Sequence, residues 1–334
     1  MYNIAIDVFG GDNAPQAILE GCELALGQLP DIRLLLFGDE AVIENFVRER
    51  GLDKSRVEIV HAPEIIGMAE KATAAIKQKQ NSSLVRALKS VAEREAVCLV
   101  SAGSTGAVLA GATLIVRRIK GVKRPALAPF LPTRTGYALL LDCGANTDCK
   151  PAYLQQFAVM GSAYIKLAKG IKNPRVGLLN NGAEAEKGNE LTKAAYPLLE
   201  QAPINFVGNC EARDVLSGEF DVIVADGFAG NVVLKSTEGV AGFLMATLKD
   251  ELMSSARSKV GAALAKPAFS RLKKRMDYTE YGGALLIGAN GGIVKAHGSS
   301  NAKAFAAAIR QAHEYARADV TQQVEQAILE LEQV

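Results

Sequence analysis

Glycine mixed with serine, threonine, asparagine or aspartate recurs where apolar runs end, which is the chemistry needed to hold an anion or polarise a carbonyl. The segment Ser101-Ala-Gly-Ser-Thr-Gly106-Ala leaves one apolar run and opens a helical one. Gly103 and Gly106 let the backbone come close to a ligand, and the unpaired N–H groups of a first helical turn carry partial positive charge. Ser101, Ser104 and Thr105 add hydroxyls. The pattern is neither GxGxxG nor GxxxxGK[ST], so the anion it suits is smaller than a dinucleotide or a nucleoside triphosphate. The plainer reading is a helix capped by Ser104 with nothing bound. A similar turn follows the first apolar run: Asp7-Val-Phe-Gly10-Gly11-Asp12-Asn13-Ala-Pro15, two adjacent glycines between two aspartates. Asp12 or Asn13 would cap the next helix, and Pro15 suits its first turn.

Five further apolar runs end in this way. They lead into Asp142-Cys-Gly-Ala-Asn146, Asn180-Asn181-Gly-Ala-Glu184 with Lys187 beyond, Gly208-Asn209-Cys-Glu211, Asp226-Gly-Phe-Ala-Gly-Asn231, and His297-Gly-Ser299-Ser-Asn301. Any one is an ordinary turn or cap. Together they describe a polar rim at the carboxyl ends of strands, where open α/β sheets bind ligands. A competing pattern is present: Ala102-Gly-Ser104-Thr-Gly106 differs from the GxSxG elbow only at its first position, and Asp142 or Asp226 and then His297 follow in hydrolase order. No oxyanion motif precedes Ser104, so a serine acyl hydrolase or thioesterase stands as the second reading.

The elements that must position these turns alternate. Strand candidates at Tyr2–Val8, Arg33–Phe37, Val57–Val60, Val97–Val100, Ala138–Leu141, Val176–Leu179, Ile204–Val207, Val222–Ala225, Ala284–Ile287 and Ile293–Lys295 are separated by helical stretches. These include Pro15–Leu26, Ala41–Arg50, Ser83–Arg94, Thr105–Ile119, Ala152–Leu167 and Asn189–Glu200. Continuous apolar strands imply faces covered on both sides, so the expected class is α/β with a largely parallel sheet and helices on both faces. The chain has 334 residues, with no repeat and no linker, and reads as one compact two-lobed unit spanning 1–334. Net charge is +2, which gives no whole-chain case for nucleic acid. Five scattered cysteines without a CxxC pair, and three histidines, point to reduced structural thiols, a cytoplasmic setting and no metal site. Residues 96–116 run without a charge before Arg117 and Arg118. That run has the length of a membrane span, but its central glycines and hydroxyls break it into a strand, a turn and a helix.

Positive charge concentrates between Met253 and Met276, where Arg257, Lys259, Lys266, Arg271, Lys273, Lys274 and Arg275 occur without an acid. With Val260, Leu264 and Phe269 near Pro267, this region is expected to form a protruding helical hairpin over 240–276, kinked or ended at Pro267 and carrying an apolar tip between basic flanks. Such a surface suits an anionic membrane or an acidic protein.

These motifs in this order resemble the PlsX family, the bacterial acyl-(acyl-carrier-protein):phosphate acyltransferases of phospholipid synthesis. The likeness also covers Asp277-Tyr-x-Glu-Tyr-Gly-Gly-Ala284 and Lys295-Ala-His-Gly-Ser-Ser-Asn301, and departs at Val8-Phe9, where the family usually has Ala-Met. The resemblance implies an isocitrate/isopropylmalate-dehydrogenase-like fold, a homodimer and no cofactor, with peripheral association at the membrane. It implies that inorganic phosphate attacks the thioester of acyl-carrier protein to give acyl phosphate for a membrane glycerol-3-phosphate acyltransferase. On that basis Ser101, Gly103, Ser104, Thr105 and Gly106 would bind phosphate, while Asp226, Lys187, His297, Asn231 and Asn181 would serve catalysis. The remaining rim would contact substrate: Asp7, Gly10, Gly11, Asp12, Asn13, Asp142, Asn146, Asn180, Glu184, Asn209, Glu211, Ser299 and Asn301. The third reading is an NAD- and metal-dependent dehydrogenase on the same fold.

Overall fold

The structure, a computed structural model, describes residues 1–276 and 282–333, and side chains of all of these except 273–276. Lys273, Lys274, Arg275 and most of the Asp277–Ala284 motif therefore fall outside the described side chains. Strands are β1 (Tyr2–Asp7), β2 (Ile32–Gly38), β3 (Val57–His61), β4 (Cys98–Ser101), β5 (Ala126–Ala128), β6 (Phe130–Pro132), β7 (Tyr137–Leu141), β8 (Arg175–Asn180), β9 (Asn205–Glu211), β10 (Val222–Val224), β11 (Ala284–Ile287) and β12 (Gly292–Lys295). Helices are α1 (Gln16–Gln28), α2 (Glu40–Arg50), α3 (Ala72–Gln78), α4 (Ser83–Ala92), α5 (Thr105–Gly111), α6 (Pro151–Lys169), α7 (Glu190–Glu200), α8 (Gly227–Met253), α9 (Ala256–Met276), α10 (Ala302–Arg317) and α11 (Val320–Leu331).

The strands divide into two sheets, ordered β3-β2-β1-β4-β12-β11-β5 and β6-β7-β10-β8-β9. Pairing is parallel except around β11 and between β6 and β7. Ile4, Ala5, Ile6, Leu99, Leu139, Val222 and Ile293 are all fully buried, as strands covered on both faces require. One apolar cluster joins the sheets, from Ile4 and Leu36 through Leu139 and Val222 to Ile287 and Val324. The chain passes from the first sheet to the second over the single residue between Ala128 and Phe130, Pro129, and comes back through α8 and α9.

Two expectations are corrected. The helix from Thr105 does not run evenly to Ile119. It changes to a π turn over Ala112–Val116 and stops at Arg117, whose φ is 68°. The hairpin begins at Gly227 rather than 240 and turns at Ser254–Ser255, where Ser258 N–H donates to Ser255 Oγ (3.1 Å). α9 does not end at Pro267 but runs on to Met276. An exposed proline forfeits one hydrogen bond that water can replace, whereas the serine pair supplies a cap. Val260 and Leu264 (63% and 81% exposed) consequently lie along the side of α9 and not at a tip. Among the described residues no helix is long and apolar enough to cross a membrane.

Candidate active site

The loops after β1, β4 and β12 converge because these strands are neighbours in the sheet. Asp7 ends β1 and is 2% exposed. Its Oδ1 accepts from Ser83 Oγ (2.5 Å) and its Oδ2 from Ser101 Oγ (2.6 Å), and Gly103 N–H donates to that same serine oxygen (3.0 Å). Burial pushes the Asp7 carboxyl up, while the two hydroxyls and the charge of Lys295 oppose it. Ser101 and Gly103 are thereby engaged within the protein and shape the loop that presents Ser104 and Thr105. Gly10 is required here: a Cβ would lie 2.3 Å from Asp7 Oδ2 and 2.8 Å from the Gly103 nitrogen, so any side chain would part the two loops. Asp12 N–H donates to Gly298 O (2.8 Å), and Asn13 Nδ2 donates to Ser299 O (3.1 Å) and Ser300 O (3.2 Å), tying the first loop to the third. Asn301 caps α10 at Ala304 N.

Ser104 occupies the cap position of α5, yet its side chain makes no cap bond. The plain capping explanation for this serine therefore fails, and its hydroxyl stands beside first-turn N–H groups that lack helical partners. Ser299 N–H donates to His297 Nδ1 (3.3 Å), which assigns the proton of the neutral ring to Nε2.

Lys295 is the residue that sequence reasoning did not single out. It ends β12 at 7% exposure, and among the described residues its Nζ hydrogen-bonds to two carbonyl oxygens, Ala296 O at 2.5 Å and Ala102 O at 3.4 Å. Burial lowers its ammonium to about 8; Asp7 and Asp12 hold it up and Lys235 pushes it further down. The available signal was a charged residue closing the apolar run Gly-Ile-Val, since lysine is almost never buried without a reason.

Asp12, Thr105, Asn231, Lys295 and His297 line one cleft of about 370 Å³, with Lys235 and Glu238 (paired at 2.7 Å) on its α8 side. Asn231 comes from the second half of the chain. Its position is set by Asp142, which is fully buried and meets only donors: Leu127 N–H (2.8 Å), Ala145 N–H (3.2 Å), Asn146 N–H (2.6 Å) and Asn146 Nδ2 (3.0 Å). Burial raises its carboxyl and these four donors oppose the rise. Gly227 N–H donates to Asn146 O (2.8 Å), seating α8 on this loop. Asp226 Oδ1 accepts from Phe228 N–H and Ala229 N–H (2.9 Å each), the cap of α8. Both carboxylates are thus occupied by backbone amides rather than by a histidine, which removes the orienting acid from a Ser104 hydrolase.

The other predicted residues assemble elsewhere. Asn180 Nδ2 donates to Asn209 Oδ1 (3.0 Å) and Lys187 O (3.1 Å), Asn209 Nδ2 donates to Glu184 O (2.7 Å), and Glu211 pairs with Arg213 (2.6 Å). These residues and Asn181 close the ends of β8 and β9, apart from the cleft of Thr105 and His297. Arg257, Lys259, Lys266, Phe269 and Arg271 lie on α9. Residues 125–133 pass along three concavities in turn. Pro125 borders a cleft rich in arginine and lysine, Leu127 and Phe130 border the cleft of Lys295, and Leu131 and Pro132 border an apolar groove of about 690 Å³ beside α8.

This is the architecture of the phosphotransacylase fold. The chain superposes on EutD phosphotransacetylase of Staphylococcus aureus with a TM-score of 0.57 (18% identity, 98% of this chain and 94% of that one). It superposes on a Streptococcus pyogenes phosphotransacetylase with a TM-score of 0.58 (16% identity, 98% and 94%). The chain belongs to the family described as fatty acid synthesis protein, whose profile matches residues 2–323, and within it to the PlsX-type phosphate acyltransferases. It is 51% identical over 309 residues, 92% of both chains, to the phosphate acyltransferase of Clostridium botulinum strain Loch Maree. To that of Clostridium perfringens strain SM101 it is 50% identical over 318 residues, 95% of this chain and 94% of that one.

Proposed function

We propose that the enzyme transfers a fatty acyl group from acyl-carrier protein to inorganic phosphate, giving acyl phosphate for phospholipid synthesis. The observation that carries this reading is the N-terminal turn of α5, whose Thr105 lines one small cleft with Lys295 and His297 and whose Ser104, next to it in the chain, makes no cap bond. Phosphate sits on the amides of that turn with Ser104 and Thr105. A phosphate oxygen attacks the thioester carbon, the C–S bond breaks, and the phosphate's proton passes to the departing carrier thiolate. Thiolates leave readily, so the protein's work is holding two reactants in line and stabilising charge. The Lys295 ammonium neutralises the phosphate, and Asn231 with His297 Nε2–H faces the developing oxyanion. No acyl-enzyme is needed.

The decisive experiment incubates the enzyme with palmitoyl-carrier protein, with and without phosphate, and traps acyl phosphate as the hydroxamate. Product without phosphate, or no product at all, overturns the reading. Ser104→Ala should raise the KM for phosphate about tenfold, the size of one charge-assisted hydrogen bond, with the carrier KM unchanged.

Leu234 and Glu238 line both the reacting cleft and the 690 Å³ groove, which continues past Val240 and Leu244. The acyl tail lies there. Val240→Trp should shift the preferred chain shorter by several carbons in a competition assay with mixed acyl-carrier proteins. Unchanged preference would remove the tail from this groove.

The cations of α9, beside exposed Val260 and Leu264, place the enzyme on anionic membrane where the membrane acyltransferase takes its product. Lys259→Glu with Lys266→Glu should abolish flotation with phosphatidylglycerol vesicles and spare turnover in solution. Exposed Phe228 and Phe243 on α8 (67% and 68%) suit a second copy of the chain, a homodimer that light scattering would register as twice the 35.4 kDa chain mass.

A further inference from the structure

A cleft of about 830 Å³ opens beside Ala145 and Asn146 of the Asp142–Asn146 loop. Arg117, Arg118, Lys123, Arg124 and Lys150 line it, over a floor that includes Leu109 and Tyr153. None of the ion pairs among the described residues involves any of these five cations. No acidic residue occurs between Glu95 and Asp142, the stretch that supplies four of them. Arg117 is held at a φ of 68°, where a non-glycine residue is disfavoured, with its N–H on Ala112 O (2.8 Å) and its carbonyl accepting from Asn290 N (3.0 Å). Backbone held against its preference gathers at sites that do something. Leu114 beside it is 47% exposed.

The cleft adjoins the reacting one. Thr105 belongs to the reacting cleft and Leu109 to the basic one, a single helical turn or about 6 Å apart along α5. Cys143 and Ala145, two residues apart in one loop, divide between them in the same way.

We propose that this basic cleft, and not the α9 hairpin, docks the acidic face of the carrier protein. The phosphodiester of its prosthetic arm meets the arginines, and the arm runs past Leu109 and Asn146 to bring the thioester to Thr105 and Lys295. The assignment rests on the acyl-transfer reading above. Five cations in a concave surface, none in an ion pair among the described residues and one of them, Arg118, donating to the Lys123 carbonyl, attract an acidic partner over several ångströms and fix its orientation. The cations of α9, set among exposed aliphatic side chains, are left to the lipid.

The test is Arg124→Glu with Lys150→Glu, assayed with palmitoyl-carrier protein and with a palmitoyl thioester of N-acetylcysteamine, which has neither protein nor phosphodiester. The KM for the carrier should rise at least about tenfold with kcat within twofold of the unaltered enzyme, as loss of docking charge predicts, while the small thioester is used as before. Arg117→Glu with Lys123→Glu should behave alike and guards against one pair misfolding, with circular dichroism as the check. An unchanged carrier KM in both pairs, or an equal loss with both thioesters, overturns the docking assignment. Failure of the unaltered enzyme to form acyl phosphate from the carrier would instead strike the acyl-transfer reading, and it is seen before any variant is made.

Discussion

Lys295→Met should lower acyl phosphate formation by about 100-fold or more, the loss expected when a preorganised donor to developing charge is removed from a water-poor site. Methionine matches the length of the lysine stem, fills the same space and needs no partner, so folding should survive; the two carbonyls that Nζ now meets belong to the loop backbone and remain beside it. The pH dependence separates a chemical role from a packing one. The Lys295 ammonium loses its proton near 8, so turnover of the unaltered enzyme should fall above that pH, and the residual activity of Lys295→Met should lack this limb. A profile that keeps the same alkaline limb in the variant would take Lys295 out of the reaction. Stability runs the opposite way. The group's ordinary value is 10.5 and its folded value about 8, so the unfolded chain holds the extra proton between those limits and folding becomes more favourable as pH rises through them. That rise should be missing in Lys295→Met, read by urea denaturation at pH 7.5 and 10.

Asp142→Ala should destabilise the enzyme by roughly 3 kcal/mol, because three backbone N–H groups, that of Leu127 buried and those of Ala145 and Asn146 half-buried, lose their acceptor at once and each unsatisfied buried donor costs about 1–3 kcal/mol. The contacts also predict that asparagine will not rescue it. All four neighbours of this carboxylate are donors, two on each oxygen, so a side-chain NH₂ in place of either oxygen would set N–H against N–H at two hydrogen bonds. The damage should extend to catalysis, since α8 rests on this loop: a Cβ on Gly230 would come within 1.9 Å of the Asp142 carbonyl oxygen. Asn231 would then move with the helix. Urea denaturation midpoints for Asp142→Ala and Asp142→Asn, with phosphate-dependent turnover of whatever remains folded, test both points. A near-neutral Asp142→Asn would show that the site holds a protonated carboxyl rather than an anion.

Much of this is legible in the amino-acid sequence. Every strand proposed from continuous apolar runs is present, because strands buried on both faces leave no polar alternation to confuse the pattern. β5 and β6 were missed. Each has three residues, and Pro125, Pro129 and Pro132 bracket them in a way that normally marks a loop. Their absence from the reading also hid the division into two sheets, which depends on pairings between distant segments. α3 went unseen, lying in Lys71–Gln80 with little apolar periodicity.

The site was legible in its loops and less so in its roles. Glycine-rich turns announced where a ligand could approach, and Thr105, Asp12, Asn231 and His297 do share one cleft. Their spacing said nothing of which polar groups face each other. Asp7, Asp142 and Asp226 look alike as strand-end aspartates, yet two are sealed inside and the third closes a helix. The Asn180–Glu211 set has the same composition as the reacting loops and sits beside different strands. Lys295 shows the reverse case, a residue whose importance comes from burial alone.

The passage of residues 125–133 along three successive cavities gives the proposed reaction a direction. With the docking and tail assignments proposed above, protein enters and departs at the arginine end and the hydrocarbon chain occupies the other. On that assignment the spent carrier withdraws, once the bond to sulfur breaks, without crossing the path of the lipid, and the acyl phosphate is left with its tail toward the long hairpin.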